Sequence, residues 1–240
     1  MSRHWHNIKD SKGKLDSKRA AKFTIFGRMI TLAAKERGGD PAMNPKLRNA
    51  IEKAKAAFTP KDVIERAIKK GTGELESEQL EELIYEGYGP GGAAVLVESL
   101  TDNRNRTGGN IKHLFGSNGG NLGAANSVAW MFERKGAIAI PAASLEGKDL
   151  DDVELRLIEA GAEDITREPE GWTVFTPFND LQSVRENIEA AGFKAESAEL
   201  EYVAKDPLAL PEEQKQALLE LLDALEGDED VRAVYTNVEI

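Results

Sequence analysis

The stretch LTDNRNRTGG, Leu100 to Gly109, crowds Asn103, Arg104, Asn105 and Arg106 into four positions and follows them with Thr107 and two glycines. Two guanidiniums two residues apart face one way on an extended chain, and each fork matches the oxygens of a phosphate. A helix starting nearby would add N–H groups that favour an anion. Phosphate contact by Arg104 and Arg106 is one reading of the stretch. The other is a turn with an N-cap at Thr107 on an exposed helix start. Gly119-Gly120-Asn121-Leu122-Gly123 is open in the same way. Its glycines either stop a helix or let a partner approach the backbone, with Leu122 exposed at the tip.

Other chemistries find little support. The 240 residues contain no cysteine, which removes disulfides, thiolate nucleophiles and the common zinc ligands. GYGPGG, Gly87 to Gly92, has the spacing of a dinucleotide fingerprint, but it opens a strand rather than a helix and so reads as a hairpin turn. No phosphate-loop, nucleophile-elbow or zinc-protease spacing occurs, and the carboxylates are scattered. Ser2-Arg3-His4 could offer Cu(II) a square plane after loss of Met1, yet a histidine there is usually incidental. The expectation is a protein that is not an enzyme and holds no metal or cofactor. With no secretory h-region and no apolar run of eighteen residues, a cytoplasmic location away from the membrane is expected.

Charge supplies the strongest signal. The formal net charge is −11, yet residues 1 to 72 hold 18 Lys and Arg against 7 Asp and Glu, while residues 73 to 240 hold 13 against 35. A cationic head on an anionic body suggests that one half meets a polyanion. Repulsion from the body would orient the encounter. Within the body, residues 99 to 135 carry five cations against two carboxylates. Candidate nucleic-acid contacts are therefore Lys9, Lys12, Lys14, Lys18, Arg19, Lys22, Arg28, Arg48, Lys53, Lys55, Lys61, Arg66, Lys69 and Lys70 in the head. Arg104, Arg106 and Lys112 extend the set, and Asn103, Asn105, Thr107 and the Gly119 to Gly123 loop are candidate contact segments. A charge run can also be only a solvated face.

The elements that must position these residues follow from periodicity. Phe23, Phe26, Ile30 and Ala33 or Ala34 mark one helix face from Ser17 to Arg37, stopped by Gly38-Gly39. Asn44-Pro45 caps a second helix with Leu47, Ile51, Ala54 and Phe58 on one stripe. Thr59-Pro60 opens a third, and Gly71 to Gly73 reads as a linker that frees the head to settle. LIYEGYG and AAVLVESL read as strands, Thr107 to Gly116 as a helix, and the alternation of Val128, Trp130 and Phe132 as a third strand. Next come GAIAIP, a helix around Val153 and Leu157, AEDIT, GWTVFTP, a helix with Leu181, Val184 and Ile188, and a strand over 198–203. That β-α-β-β-α-β order is the ferredoxin-like plan. A leucine-rich helix opening at Pro211 and a strand VRAVYTNV finish the chain. The expected fold is α+β with three domains: a basic helical domain over 1–76, a discontinuous α/β domain over 77–134 plus 204–240, and an inserted ferredoxin-like domain over 135–203.

NIKDSKGKLDSKRAAKFT, GGDPAMNPKLRNAIEKAKAAFTPKDVIERAIKKGTGE, GYGPGGAAVLVESLTDNRNRT and GGNLGAANSVAWMF, in this order, resemble the YebC/PmpR family, which includes the mitochondrial translational activator of cytochrome c oxidase. The resemblance covers nearly the whole chain. It implies three domains and a probable transcriptional regulator that binds DNA, or alternatively a ribosome-associated factor contacting ribosomal RNA and aiding synthesis of proline-rich stretches. The sequence departs from the family where Phe58-Thr59 replaces an Asn-Met pair and where Ser2-Arg3-His4-Trp5 replaces Gly-His-Ser-Lys-Trp. A protein-interaction scaffold and a hydrolase are the remaining readings.

Overall fold

The computed structural model describes residues 15–239, with side chains from residue 20 onward. In chain order the elements are α1 Leu15–Arg37, α2 Pro45–Ala56, α3 Lys61–Thr72, β1 Glu81–Tyr88, β2 Ala94–Thr101, α4 Arg104–Ser117 and β3 Asn121–Leu122. They continue with β4 Phe132–Pro141, α5 Leu150–Glu159, β5 Asp164–Glu168, β6 Gly171–Pro177, α6 Leu181–Ala190, β7 Ser197–Ala204, α7 Glu212–Glu226 and β8 Val231–Thr236. Among the described residues, 15–129 with 210–236 form one compact unit and 130–209 with 237–239 form the other. No described helix is long and apolar enough to cross a membrane.

The three helices share a core of Ile30, Ala33 and Ala34 from α1, Leu47, Ile51 and Ala54 from α2, and Ile64 and Ala67 from α3. One buried side chain fixes the α1–α2 corner. Asn44 caps α2 by accepting from Leu47 N at 3.1 Å, and its amide donates to Ala33 O at 2.8 Å and Gly38 O at 2.9 Å. Phe58, expected on the α2 stripe, leaves it. The helix closes with Thr59 N donating to Ala54 O and Phe58 N to Lys55 O, which places Phe58 in the left-handed region at φ 58° and turns its side chain outward. A non-glycine residue there costs about 1 kcal/mol or more. Nor is Gly71 part of a linker. It lies within α3, and a Cβ on it would stand 2.5 Å from Thr31 O and 2.6 Å from Ala34 Cβ, so its lack of a side chain lets α3 close on α1.

The same unit holds a sheet of order β3-β1-β2-β8, antiparallel throughout. Val95, Val97, Ile111 and Phe115 are fully buried, as are Leu218, Leu221, Leu222 and Leu225 of the leucine-rich α7. GYGPGG is the β1–β2 turn, built on a 3₁₀ turn at Pro90–Gly92. The strand expected over Val128 to Phe132 does not form. Glu86, buried on β1, accepts from Asn126 N at 2.7 Å, Val128 N at 2.8 Å and Ala129 N at 2.7 Å, so these N–H groups serve a carboxylate instead of a ladder. Residues 129–131 turn, and the strand begins at Phe132 and runs on through GAIAIP.

The second unit follows the succession β4-α5-β5-β6-α6-β7 in a sheet of order β5-β6-β4-β7, with every neighbouring pair antiparallel. Ile138, Ile140, Trp172 and Val174 meet Val153, Leu157, Val184 and Ile188 in its core, the residues whose two periods mark strands and helices in the sequence.

Burial pushes the Glu86 carboxyl up, but the N–H groups of Val128, Asn126 and Ala129 more than offset this and hold it below the usual carboxylate range. With the folded value depressed, the unfolded chain binds the extra proton. Stability from this group is thus present above about 4.5, the ordinary Glu value, and is lost as pH falls through the folded value. Glu86→Gln should cost about 1 to 3 kcal/mol at neutral pH and flatten the acid side of the melting-temperature profile. Thermal melts from pH 7 to 3 on both proteins test this, and an unaltered acid slope in the variant would refute the assignment.

Candidate nucleic-acid interface

The arginine-rich stretch is the first turn of α4, and its cap is Asn103, not Thr107. Asn103 sits at φ −144°, ψ 91°, and its side chain accepts from Arg106 N at 3.1 Å. Arg104 and Arg106 are therefore helical, not extended, and their side chains diverge. Arg104 is exposed, and its backbone carbonyl accepts from Tyr85 OH at 3.3 Å. Arg106, 38% exposed, directs its guanidinium to Asp102 and Asp230. Thr107 is fully buried, with its hydroxyl 2.8 Å from Thr101 Oγ1 and 2.7 Å from Asp230 Oδ2.

Asp230, only 1% exposed, is the focus of this turn. Arg28 Nη1 on α1 donates to its Oδ1 at 2.5 Å, and Arg106 Nη2 donates to the same oxygen at 3.0 Å. Arg28 Nη1 also reaches Glu229 O at 3.0 Å and Leu100 O at 3.3 Å. Asp102 closes the ring, 2.7 Å from Arg106 Nη2 and 3.4 Å from Arg28 Nη2. The Arg106 guanidinium holds the Asp102 carboxyl below its usual range against a smaller rise from burial. Asp102 and Asp230 in turn make Arg106 hold its proton more firmly. Two guanidiniums and two carboxylates cancel. Arg28 and Arg106, expected on phosphate, are thus engaged in joining α1, α4 and the start of β8.

The glycine loop is also turned to internal use. Asn121 and Leu122 form β3 against Tyr88 and Gly87, and Leu122 is half-buried rather than exposed at a tip. A Cβ on Gly120 would lie 2.7 Å from Tyr88 O, so the close approach this glycine permits is to its own sheet. Gly119 takes φ 73° as the chain leaves α4, and Gly123 donates its N–H to Glu86 O at 2.8 Å.

The remaining head cations divide by their partners. Lys61 pairs with Glu65 at 3.3 Å and Lys70 with Glu78 at 3.8 Å, and Arg48 reaches the Pro41 carbonyl at 3.4 Å. Lys22 and Lys53 are half-buried. Lys55, Arg66 and Lys69 are exposed and make no ion pair among the described residues, and Lys35 and Arg37 at the end of α1 join them. Lys35 and Arg37 are not among the sequence candidates; the signal that would have found them is two more cations on a basic helix. On α4, Arg104 and Lys112 are exposed without ion pairs among the described residues, and Asn105, Gly109, Lys112 and Gly116 recur at i, i+4, i+7 and i+11, so one exposed face alternates glycines with Asn105 and Lys112. The 99–135 cationic window splits: Arg134 stacks on Phe178 at 4.9 Å and Lys135 pairs with Glu163 at 3.0 Å in the other unit. Lys9, Lys12 and Lys14, with the Ser2-Arg3-His4 terminus, lie outside the described residues, as do the side chains of Lys18 and Arg19. No group of three metal-ligating side chains occurs among the described residues.

Two family models match the chain: the TACO1/YebC N-terminal domain over residues 3–74, and the TACO1/YebC second and third domain over 80–238. A probable transcriptional regulatory protein of Treponema denticola is 51% identical over 242 residues, covering 100% of this chain and 97% of the relative. One of Fusobacterium nucleatum is 47% identical over 243 residues, covering 100% and 96%. The crystal structure of a conserved hypothetical protein from Aquifex aeolicus matches with a TM-score of 0.84 at 44% identity, over 99% of this chain and 97% of its own.

The geometry separates the two arginines of the opening stretch. Asp230→Ala would leave Arg28 and Arg106 facing each other with Asp102 as their one remaining carboxylate and should cost about 3 to 5 kcal/mol. Arg106→Ala should destabilise measurably, whereas Arg104→Ala should stay within about 0.5 kcal/mol of the parent. Denaturant titration of the three variants tests the assignment; equal midpoints for the two arginine variants would overturn it.

Proposed function

We propose that this chain, which belongs to the TACO1/YebC family, is a nucleic-acid-binding regulator of gene expression that acts on transcription by contacting DNA. The names of the full-length relatives support the regulatory part. The observation that carries the binding part is the set of exposed cations without ion pairs among the described residues: Lys55, Arg66 and Lys69 of the head with Arg104 and Lys112 of α4.

Such cations bind a polyanion by neutralising phosphates and releasing its condensed counterions, a contribution blind to base sequence. The glycine-lined face of α4 adds a place where a phosphate backbone can come close to the helix beside Lys112. Lys61 and Lys70 remain available, because exposed ion pairs are worth little and exchange readily for a phosphate. Arg28 and Arg106 contribute by holding α1 and α4 in place. The reading involves no covalent chemistry.

Each phosphate-neutralising lysine removed should flatten the dependence of log K on log salt by about 0.9. Lys55→Ala, Lys69→Ala and Lys112→Ala together should therefore reduce the slope by about two to three with no change in melting temperature, as read by fluorescence anisotropy across 50 to 300 mM salt. An unchanged slope would refute the proposed surface. Crosslinking in cells with sequencing of the attached polymer should return DNA; recovery of ribosomal RNA instead would move the function to translation.

A further inference from the structure

We infer that Phe58 is a base-stacking residue, whose ring lies against an unstacked base of a single-stranded segment bound by the cationic head. The inference rests on the nucleic-acid reading above and goes beyond it by naming the conformation of the target.

Three observations meet at this residue. Phe58 is 86% exposed, the most exposed large apolar side chain among the described residues. Its backbone is left-handed at φ 58°, a conformation that L side chains adopt at a cost. The chain solves the same problem with glycine at the ends of the neighbouring helices: Gly38 after α1 at φ 89° and Gly73 after α3 at φ 83°. Only α2 of the three ends on an aromatic ring. Folding gains nothing from that choice, since the ring is out of the core and the backbone is strained. Strain that the fold does not need is the mark of a residue kept for contact.

The surroundings select the kind of contact. Lys55 stands three residues before Phe58 and Lys61 three after, both exposed. An aromatic ring between cations is the combination that single strands use, with bases stacking on the ring and phosphates tracking the positive charge. A duplex keeps its base faces covered by their neighbours, so the ring has nothing to stack on there without first opening a step. A protein pocket would accept the ring but has no use for two flanking lysines.

The test sets stability against affinity in the full-length chain. Phe58→Gly and Phe58→Asn relieve the left-handed strain, so both should melt higher than the parent. The same variants should bind a single-stranded oligonucleotide about tenfold more weakly at fixed salt, and a duplex of equal length with unchanged affinity. Phe58→Trp, which retains a ring, should restore single-strand binding. Unchanged single-strand affinity in the Gly and Asn variants, or an equal loss on the duplex, overturns the inference while leaving the cationic surface standing. If the parent protein binds neither oligonucleotide, the nucleic-acid reading falls and this inference with it.

Discussion

A carboxylate that is 1% exposed is costly to bury without partners, and Asp230 finds them on two helices that lie far from it in sequence. Arg28 comes from α1 and Arg106 from the first turn of α4, with the Thr107 hydroxyl on the other oxygen. The Asp230 backbone is tied as well, since its carbonyl accepts from Leu100 N at 2.8 Å. The three-helix head, the end of β2, the α4 cap and the start of β8 are therefore fixed by one charge. This explains why α1 is held against the sheet even though the sequence after α3 reads as a hinge. It also explains why the α4 amino terminus is a poor place for an external anion: Asn103 takes the Arg106 N–H, and Arg106 itself faces the protein.

Glu86 makes the same kind of statement elsewhere. Its carboxylate gathers the N–H groups of Asn126, Val128 and Ala129, which holds 126–129 as a loop and leaves the next strand to start at Phe132. Both carboxylates act across more than 40 residues, Glu86 on Val128 and Asp230 on Arg28 and Arg106. Neither pairing leaves a local signature.

What was legible in the sequence was local. Asn44 followed by Pro45 is a cap and a first helical residue in adjacent letters, and the structure uses both. The short apolar runs of β4 and β6, buried on both faces, and the period-3.6 runs of α5 and α6, buried on one, reveal their elements because each carries its burial within its own window. The α2 stripe failed at Phe58 because periodicity extrapolates past a helix end, whereas the left-handed closure there depends on two hydrogen bonds that periodicity does not see. The candidate site was legible as composition and not as geometry. A count finds the cationic head, but it weighs Arg28 and Lys69 alike.

Burial is what separates them. Arg28, whose side chain is 12% exposed, sits with Asp230 in surroundings where opposite charges attract strongly and salt cannot screen them, so a passing phosphate cannot compete for it. Lys61, 90% exposed, pairs with Glu65 in water, where the attraction is about 1 kcal/mol and a phosphate is an equal exchange. Ion pairs drawn at similar distances thus have opposite meanings for binding: the buried ones remove a cation from the surface, and the exposed ones merely park it. On this argument the surface charge is smaller than the sequence count: Lys55, Lys69 and Lys112 stay exposed on α2, α3 and α4, while Arg28 and Arg106 are engaged within the fold.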